Sequence, residues 1–535
     1  MLDTYRQRSN LPHKRLVSIA IAISAVTLSA CANAPTANGD PRIELPQKYR
    51  LSQESLLSTF ERRSGKIAVI QTDGNLSIVD QTGKGKVQLT RDAVTRPRQG
   101  KPSLFYQLPV WSPDSTQIAF VETSAERPVV STVLETNPEQ VTIERGPNSN
   151  SVEVGGDRAQ IQGQLQQQRQ IPQTSVEKNP RRVLIERSSG NSGLLSSAIY
   201  VATVDGKKPL NELLMLSKEA INYLDWSPDG SQLAFSSERA DQAQRTDTST
   251  VSLNIVSTAG GKARQVLNGA AAVWHWNSDG KTLLAKVDAA GRAGLSALSL
   301  LDTQTNATSA LASRARLSFQ TPQFSPDGNK MLITTEPNNG RSDLLVANRD
   351  GKAERRLTSF SGRVSFTWSP DGNKVAYMVR ESPTSIGGVL HMFDLYSGED
   401  KVLSQLPVAA FFWSPDSVRV LTFSPTRPQD MSADFPGIDL TNDTPQSVFT
   451  LATIDVMTRN SRQLFYIEPT EPFANVLTQF DRFNRAINLW SPDSKRIVFP
   501  ITYYNGMNLI VESEATGSIY PRSLGPGTMA VWSPK

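Results

Sequence analysis

Eight times the chain sets an aromatic residue in front of a turn sequence. The copies are WSPDS at Trp111, WSPDG at Trp226, WNSDG at Trp276, FSPDG at Phe324, WSPDG at Trp368, WSPDS at Trp413, WSPDS at Trp490 and a shortened WSP at Trp532. They stand 115, 50, 48, 44, 45, 77 and 42 residues apart, so five of the seven intervals fall between 42 and 50. Such a period fits a four-stranded propeller blade and is too long for leucine-rich or short helical repeats.

Within each period the local chemistry is that of a hairpin. Apolar stretches such as INYLDW and AAFFW lead into the aromatic residue, and β-rich runs such as QLAFSS, KVAYMV and RIVFPI follow the turn. Proline pre-sets φ for the second turn position, aspartate suits the third, and glycine accepts positive φ at the fourth. Two more strands follow in most periods, as in DLLVANRDGKAERRLT. Each period is thus predicted to be an antiparallel meander of strands a to d, with the motif between a and b.

The two ends of the repeat complement each other. KIAVIQ, NLSIVD and KVQLT precede the first motif without an a strand of their own, and TMAVW at the other end is an a strand with nothing after it. The expectation is an all-β propeller of about eight blades, closed by pairing of the N- and C-terminal strands. Seven blades is the alternative if 465–488 forms no part of a regular blade.

Two long intervals mark inserts at about 124–196 and 425–486. The first contains the glutamine-rich RAQIQGQLQQQRQIPQ, which has no aromatic residue and little with which to build a core. VTIER at Val141 and VLIER at Val183 are expected to extend the flanking strands as an arm. In the second, Phe473, Val476, Leu477, Phe480 and Phe483 recur at helical spacing, which predicts a short amphipathic helix capping a blade edge, with docking of a partner as the other use.

The N-terminal region has a different character. Arg6, Arg8, Lys14 and Arg15 precede the apolar run 16–30, and then comes Cys31, the single cysteine of the chain. A charged segment, a 15-residue apolar run and small residues describe a secretory signal peptide, and the run is short for a membrane span of about 20 residues. Leu28-Ser29-Ala30-Cys31 resembles a bacterial lipobox, which implies lipid attachment at Cys31. Cleavage after Ala34 is the alternative. The division expected is a signal peptide over 1–30, a lipidated tether with a short helix over 31–64, and the propeller over 65–535. With 56 basic and 51 acidic residues the charge is nearly balanced at +5, and no basic stripe with interleaved aromatics suggests a nucleic-acid partner.

The WSPDG hairpins, with the outer-strand endings Leu89-Thr90 and Leu357-Thr358, resemble the TolB-type WD40-like propeller repeat, shared with the propeller domains of prolyl oligopeptidase relatives. The resemblance covers nearly everything from Gly65 onward. It implies a fold more than a function. TolB proteins carry an α/β domain before a six-bladed propeller, and no room for such a domain exists between Cys31 and the first strand, so the chain does not read as TolB itself.

Enzymatic chemistry has little to be built from. No G-x-S-x-G elbow occurs, and only His275 and His391 remain beyond the leader, in different repeats. His275, between Trp274 and Trp276, is read as a packed or channel-lining residue. Asp114, Asp229, Asp279, Asp327, Asp371, Asp416 and Asp493 belong one to each turn and are read as turn formers, and the motif aromatics as packing between blades. No catalytic residue, metal site or cofactor is expected. The function expected is a lipid-anchored, extracytoplasmic scaffold in the bacterial cell envelope that binds a protein or peptide. The alternative is a propeller enzyme or carbohydrate binder using the central channel.

Overall fold

The computed structural model describes residues 64–95, 102–125, 131–132, 143–144, 195–204, 210–239, 250–269, 271–288, 296–311, 321–335, 338–382, 385–427, 448–503, 506–518 and 521–535. The leader, Cys31, the helix expected near 52–63, most of the first insert including Val183, and residues 428–447 lie outside the described residues.

Eight antiparallel sheets form the ring. The inner strand a is Met529–Trp532 in blade 1, Leu104–Trp111 in blade 2, Ala220–Trp226 in blade 3 and Ala271–Trp276 in blade 4. It is Gln323–Phe324 in blade 5, Arg363–Trp368 in blade 6 and Ala410–Trp413 in blade 7. In blade 8 it shrinks to a bridge between Trp490 and Ile497, beside a three-stranded sheet that starts at Arg496–Tyr503. The stretch 465–488 therefore leaves the count at eight, because blade 8 is assembled beyond it.

Blade 1 is made from both ends of the repeat. Its order from the outside inward is Val87–Gln88, Leu76–Val79, Ile67–Ile70 and Met529–Trp532. Ile67 pairs with Trp532 and Ile70 with Met529, and the Trp532 side chain is fully buried. The Lys66 amide donates to Ser533 Oγ at 2.8 Å. The Trp532 amide donates to Asn488 O at 2.8 Å, which joins blade 1 to blade 8. Glu512, almost wholly buried in blade 8, lies between Arg496 (2.5 Å) and Arg522 (2.7 Å), and Arg522 continues to Gln81 O in blade 1 at 2.8 Å.

Each turn is built by its own serine and aspartate. In the six copies with Ser-Pro-Asp the serine Oγ donates to the aspartate at 2.5 to 2.6 Å, as Ser112 to Asp114 and Ser227 to Asp229. The same Oγ accepts the amide five residues along at 2.9 Å. In blade 4, where Asn277 replaces the serine, Asp279 takes the amides of Lys281 and Thr282 at 2.8 Å. The fourth turn residue has positive φ whether it is Gly230 (72°) and Gly372 (72°) or Ser115 (64°), Ser417 (61°) and Ser494 (60°).

The three serines do what glycine cannot. Asp371 N donates to Ser417 Oγ and Asp416 N to Ser494 Oγ, both at 3.0 Å, and Lys535 N donates to Ser115 Oγ at 2.8 Å. Each bond ties a turn to the turn of the preceding blade. Where the fourth residue is Gly280 or Gly328 the neighbouring turn leaves no room, since an added Cβ would lie 2.8 Å from Asp229 Cγ or 2.1 Å from Asn277 Oδ1.

A meander of this kind places the a–b and c–d turns on one face and the b–c and d–a connections on the other. The first insert therefore leaves and rejoins the ring on the second face, after Ala125 and before Leu195, and the described segment 468–488 joins blades 7 and 8 on that same face. Within the first insert, Ser131–Thr132 pairs with Ile143–Glu144 as a two-stranded ladder. This corrects the expectation that the Val141 segment extends the flanking blade strands: its partner is local, and strand b ends at Ala125.

Candidate functional site: the stoppered channel

The apolar spacing in the second insert folds as α1 (Glu471–Thr478) and α2 (Phe480–Phe483). Pro472 in the first turn suits a helix start, and Glu471 there favours the positive end of the helix dipole. Thr470 Oγ1 donates to Thr528 O at 2.6 Å, which fixes the entry of the segment beside the ring closure. From there it runs inward.

The contacts show where it goes. The Phe473 ring lies 5.5 Å from Phe423, and that of Phe480 lies 4.7 Å from Phe411 and 5.6 Å from Phe412, all in blade 7. Phe483 packs edge-on at 5.6 Å against Tyr223 of blade 3. Blades 3 and 7 stand opposite each other in an eight-membered ring, so an element touching both occupies the channel. The expectation of a helix capping a blade edge is corrected here. A ring of eight leaves a wide axial opening, and the apolar inner strands offer these phenylalanines more burial there than a blade edge does.

Charged residues of the stopper meet charged or polar groups of the wall. Asp481 hydrogen-bonds Ser365 and faces Arg380 and Arg363 of blade 6; burial raises its pKa, and these partners counter that rise in part. Arg482 Nη2 donates to Ser236 Oγ at 2.6 Å, and its guanidinium carbon stands 5.7 Å from the Tyr223 ring centre. Glu238 is near enough to favour the charged form of Arg482 against its burial. Arg485 Nη2 donates to Trp274 O at 2.7 Å. Asp225, on the same wall, is pushed up to about 6 by burial, with Arg485 opposing the rise.

Where stopper and wall meet, a narrow crevice of about 10 Å³, room for roughly one water molecule, is lined by Tyr223, Ala272, Val273, Trp274, Thr321, Arg482 and Arg485. Nothing in the sequence reading singled out Tyr223, Asp225, Asp481, Arg482 or Arg485. The available signals were a charge directly before a motif tryptophan, in LDW, and charges set between phenylalanines, in FDRFNR.

The residues singled out from sequence lie elsewhere. Asp114, Asp229, Asp279, Asp327, Asp371, Asp416 and Asp493 sit on the tight-turn face, away from the stopper. Asp114 is held below the usual aspartate range chiefly by Ser112, and in Asp229 hydrogen bonds from Ser227 and Ser231 outweigh the effect of burial. Among the described residues, no three histidine, cysteine, aspartate or glutamate side chains converge as metal ligands. Indoles join successive blades: Trp111 Nε1 donates to Val531 O (3.2 Å), Trp226 to Val110 O (2.9 Å) and Trp490 to Phe412 O (3.0 Å). Trp276, Trp368, Trp413 and Trp532 pack without that bond. His275 Nδ1 accepts the Phe324 amide at 2.8 Å, a link from blade 4 to blade 5. His391 stacks on Tyr377 and lies 3.3 Å from Asp400.

Large apolar side chains that stand exposed are unevenly spread. Apart from Val94, those among the described residues are Ile386, Val389, Tyr396 and Leu406 in blade 6 and Val418 and Met457 in blade 7. Tyr396, Val418 and Met457 belong to the tight-turn face.

Neither a protein-family model nor a curated protein matches the sequence. Among solved structures, TolB from Acinetobacter baumannii is 18% identical over 64% of this chain and 80% of its own, with a TM-score of 0.32. A putative TolB from Agrobacterium tumefaciens is 15% identical over 67% and 96%, with a TM-score of 0.32. An oligogalacturonate lyase in complex with manganese is 15% identical over 60% and 85%, with a TM-score of 0.38. At these identities the likeness is one of fold, and the fold stands on the eight sheets themselves: the chain is an eight-bladed β-propeller, similar to TolB-type propellers and distinct from TolB.

Proposed function

We propose that this propeller is a non-enzymatic scaffold, lipid-anchored through Cys31 on the extracytoplasmic side of the bacterial envelope, that binds a protein or peptide. The observation that carries the reading is the concentration of exposed large apolar side chains on blades 6 and 7. Three of them, Tyr396, Val418 and Met457, share the tight-turn face of these neighbouring blades, and large apolar side chains gathered on one face favour an interaction site over singly scattered ones. The stopper adds support, because a filled channel mouth leaves less room for a substrate along the axis and directs binding to the rim and faces. No helix among the described residues is long and apolar enough to cross a membrane.

A photo-reactive amino acid in place of Tyr396 or Met457, activated in intact cells, is expected to capture one discrete envelope protein. The same group at exposed Lys262 in blade 3 should capture none. Equal labelling from all three positions would refute a blade 6–7 site. Anchoring is checked separately by detergent partitioning: Cys31→Ser should move the protein from the detergent to the aqueous phase with the ring still folded. Wild type already in the aqueous phase would end the lipid reading.

A further inference from the structure

Several blades are tied to a neighbour by a hydrogen bond close to the motif aromatic, and blade 5 makes its tie to blade 4 differently. Trp111, Trp226 and Trp490 donate from the indole to a carbonyl of the preceding blade, the Trp532 amide donates to Asn488 O, and Gln323 Nε2 donates to Phe366 O. Every one of these acceptors is a carbonyl. In blade 5 the aromatic is Phe324, whose ring has no N–H, and its backbone amide donates instead to His275 Nδ1 of blade 4 at 2.8 Å. A carbonyl accepts at any ordinary pH, whereas an imidazole nitrogen accepts only while it carries no proton. Histidine is also the side chain whose ordinary titration falls between pH 5 and 8. Little else holds this boundary near the axis: strand a of blade 5 is only Gln323–Phe324, and Asn277 Nδ2 reaches Gly328 O at a long 3.4 Å. His275 is half-buried, so solvent protons reach it.

We propose that His275 is an acid-sensitive latch, which joins blades 4 and 5 while its imidazole is neutral and releases the Phe324 amide when the imidazole is protonated. A second proton on the ring sits on Nδ1, and two N–H groups then face each other where one bond had been. The proton is taken up more readily once the boundary has opened. Acid therefore favours the open boundary below the ordinary histidine value of about 6.5, and the bond is complete above it. The charged groups around this boundary do not offset that effect. Lys286, buried in strand b of blade 4, lies on the sheet face that carries His275, and a cation there disfavours a second one. In blade 5, Glu354 pairs with Lys330, and Asp327 is taken up in its own turn by Ser325 and Asn329. At the turns Asp279 pairs with Arg349 across the boundary. From the stopper Arg485 bonds Trp274 O, with Asp225 opposite it on the blade 3 side. Each carboxylate thus already has a partner of its own.

The test is local, because carboxylates elsewhere shape the pH profile of the whole chain. Hydrogen exchange of the Phe324 amide is measured in the full chain against that of Trp532, the corresponding amide of blade 1, whose acceptor is a carbonyl. Taking the ratio of the two at each pH removes the common pH dependence of exchange chemistry. The protection of Phe324 relative to Trp532 is expected to fall about 2- to 10-fold, the worth of one hydrogen bond, between about pH 7.5 and 5. His275→Asn offers a carboxamide oxygen in the place of Nδ1 and does not titrate, so its ratio should stay level. His275→Leu removes the acceptor, and its ratio should be low at every pH. If the variants fail to fold, the ring-nitrogen resonances of His275 in the unaltered protein still decide: loss of the bare Nδ1 signal should follow the fall in Phe324 protection. A ratio that stays level in the unaltered protein, or that falls equally in His275→Asn, would overturn the latch.

Discussion

Ser417 shows how one side chain can justify a conformation that it disfavours. Its φ of 61° carries a cost for a residue with a Cβ, and its Oγ recovers that cost by accepting the Asp371 amide across the blade boundary. Ser417→Ala keeps the strain and loses the bond, so it should destabilise by about 0.5–1.5 kcal/mol. Ser417→Gly loses both and should stay within about 0.5 kcal/mol of wild type. Equilibrium urea unfolding of the pair checks this, and equal losses would remove the bond from the account. Acidic residues give a second test, because two groups of them shift in opposite directions. Asp114, Asp229, Asp279, Asp327 and Asp371 are held low, so their contribution is complete above about pH 4 and is lost as pH falls through their folded values. Asp225, raised to about 6, binds its proton more readily when folded, so it adds stability as pH falls from about 6 toward 4. Thermal unfolding is thus expected to peak between pH 4 and 6, and Asp225→Asn should flatten the limb above the peak. An unchanged profile in Asp225→Asn would count against the buried position of that carboxylate.

The stopper is the element where sequence and structure part most. Its helix was legible, because Phe473, Val476, Leu477, Phe480 and Phe483 follow the helical period and all are buried. Its destination was not, since periodicity says that a face needs cover and leaves open which surface supplies it. The inner strands that cover it come from blades far apart in sequence, and only ring closure brings Tyr223 and Phe411 to the same axis. The turns were legible for the opposite reason: Ser, Pro, Asp and the fourth residue settle their geometry within five positions. The polar groups around the stopper could not be read in advance, because Tyr223 and Arg485 lie far apart in sequence and only the closed ring brings them to the same wall. If stopper and ring form one cooperative unit, Phe480→Ala should cost about 3–5 kcal/mol of global stability. Tandem scanning calorimetry and hydrogen exchange would check it. A variant that loses only the protection of α1 and α2, with the ring transition unmoved, would show that the stopper leaves independently.

At the scale of the whole molecule, the fold depends on a strand that most domains could lose. Trp532 is fully buried and its strand pairs along the whole of Ile67–Ile70. Trp532→Ala should therefore destabilise at least as much as Trp368→Ala, both by about 3–5 kcal/mol in chemical unfolding. A Trp532→Ala protein with wild-type stability would sink the clasp. The eight-blade count and the clasp were legible because the motif spacing is regular and the strands at the two ends complement each other; blade 8 blurred the count because its inner strand is reduced to a bridge. The same closure also has a consequence in time. Lys66 and Ser533, hydrogen-bonded in the finished ring, are 467 residues apart, which at about 5–20 residues per second is roughly 25 to 90 s of synthesis. Blade 1 is the first to be begun and the last to be completed. For that interval Ile67–Ile70 presents a bare inner edge, open to pairing with any other strand. An interruption anywhere downstream leaves the chain with its oldest sheet unfinished.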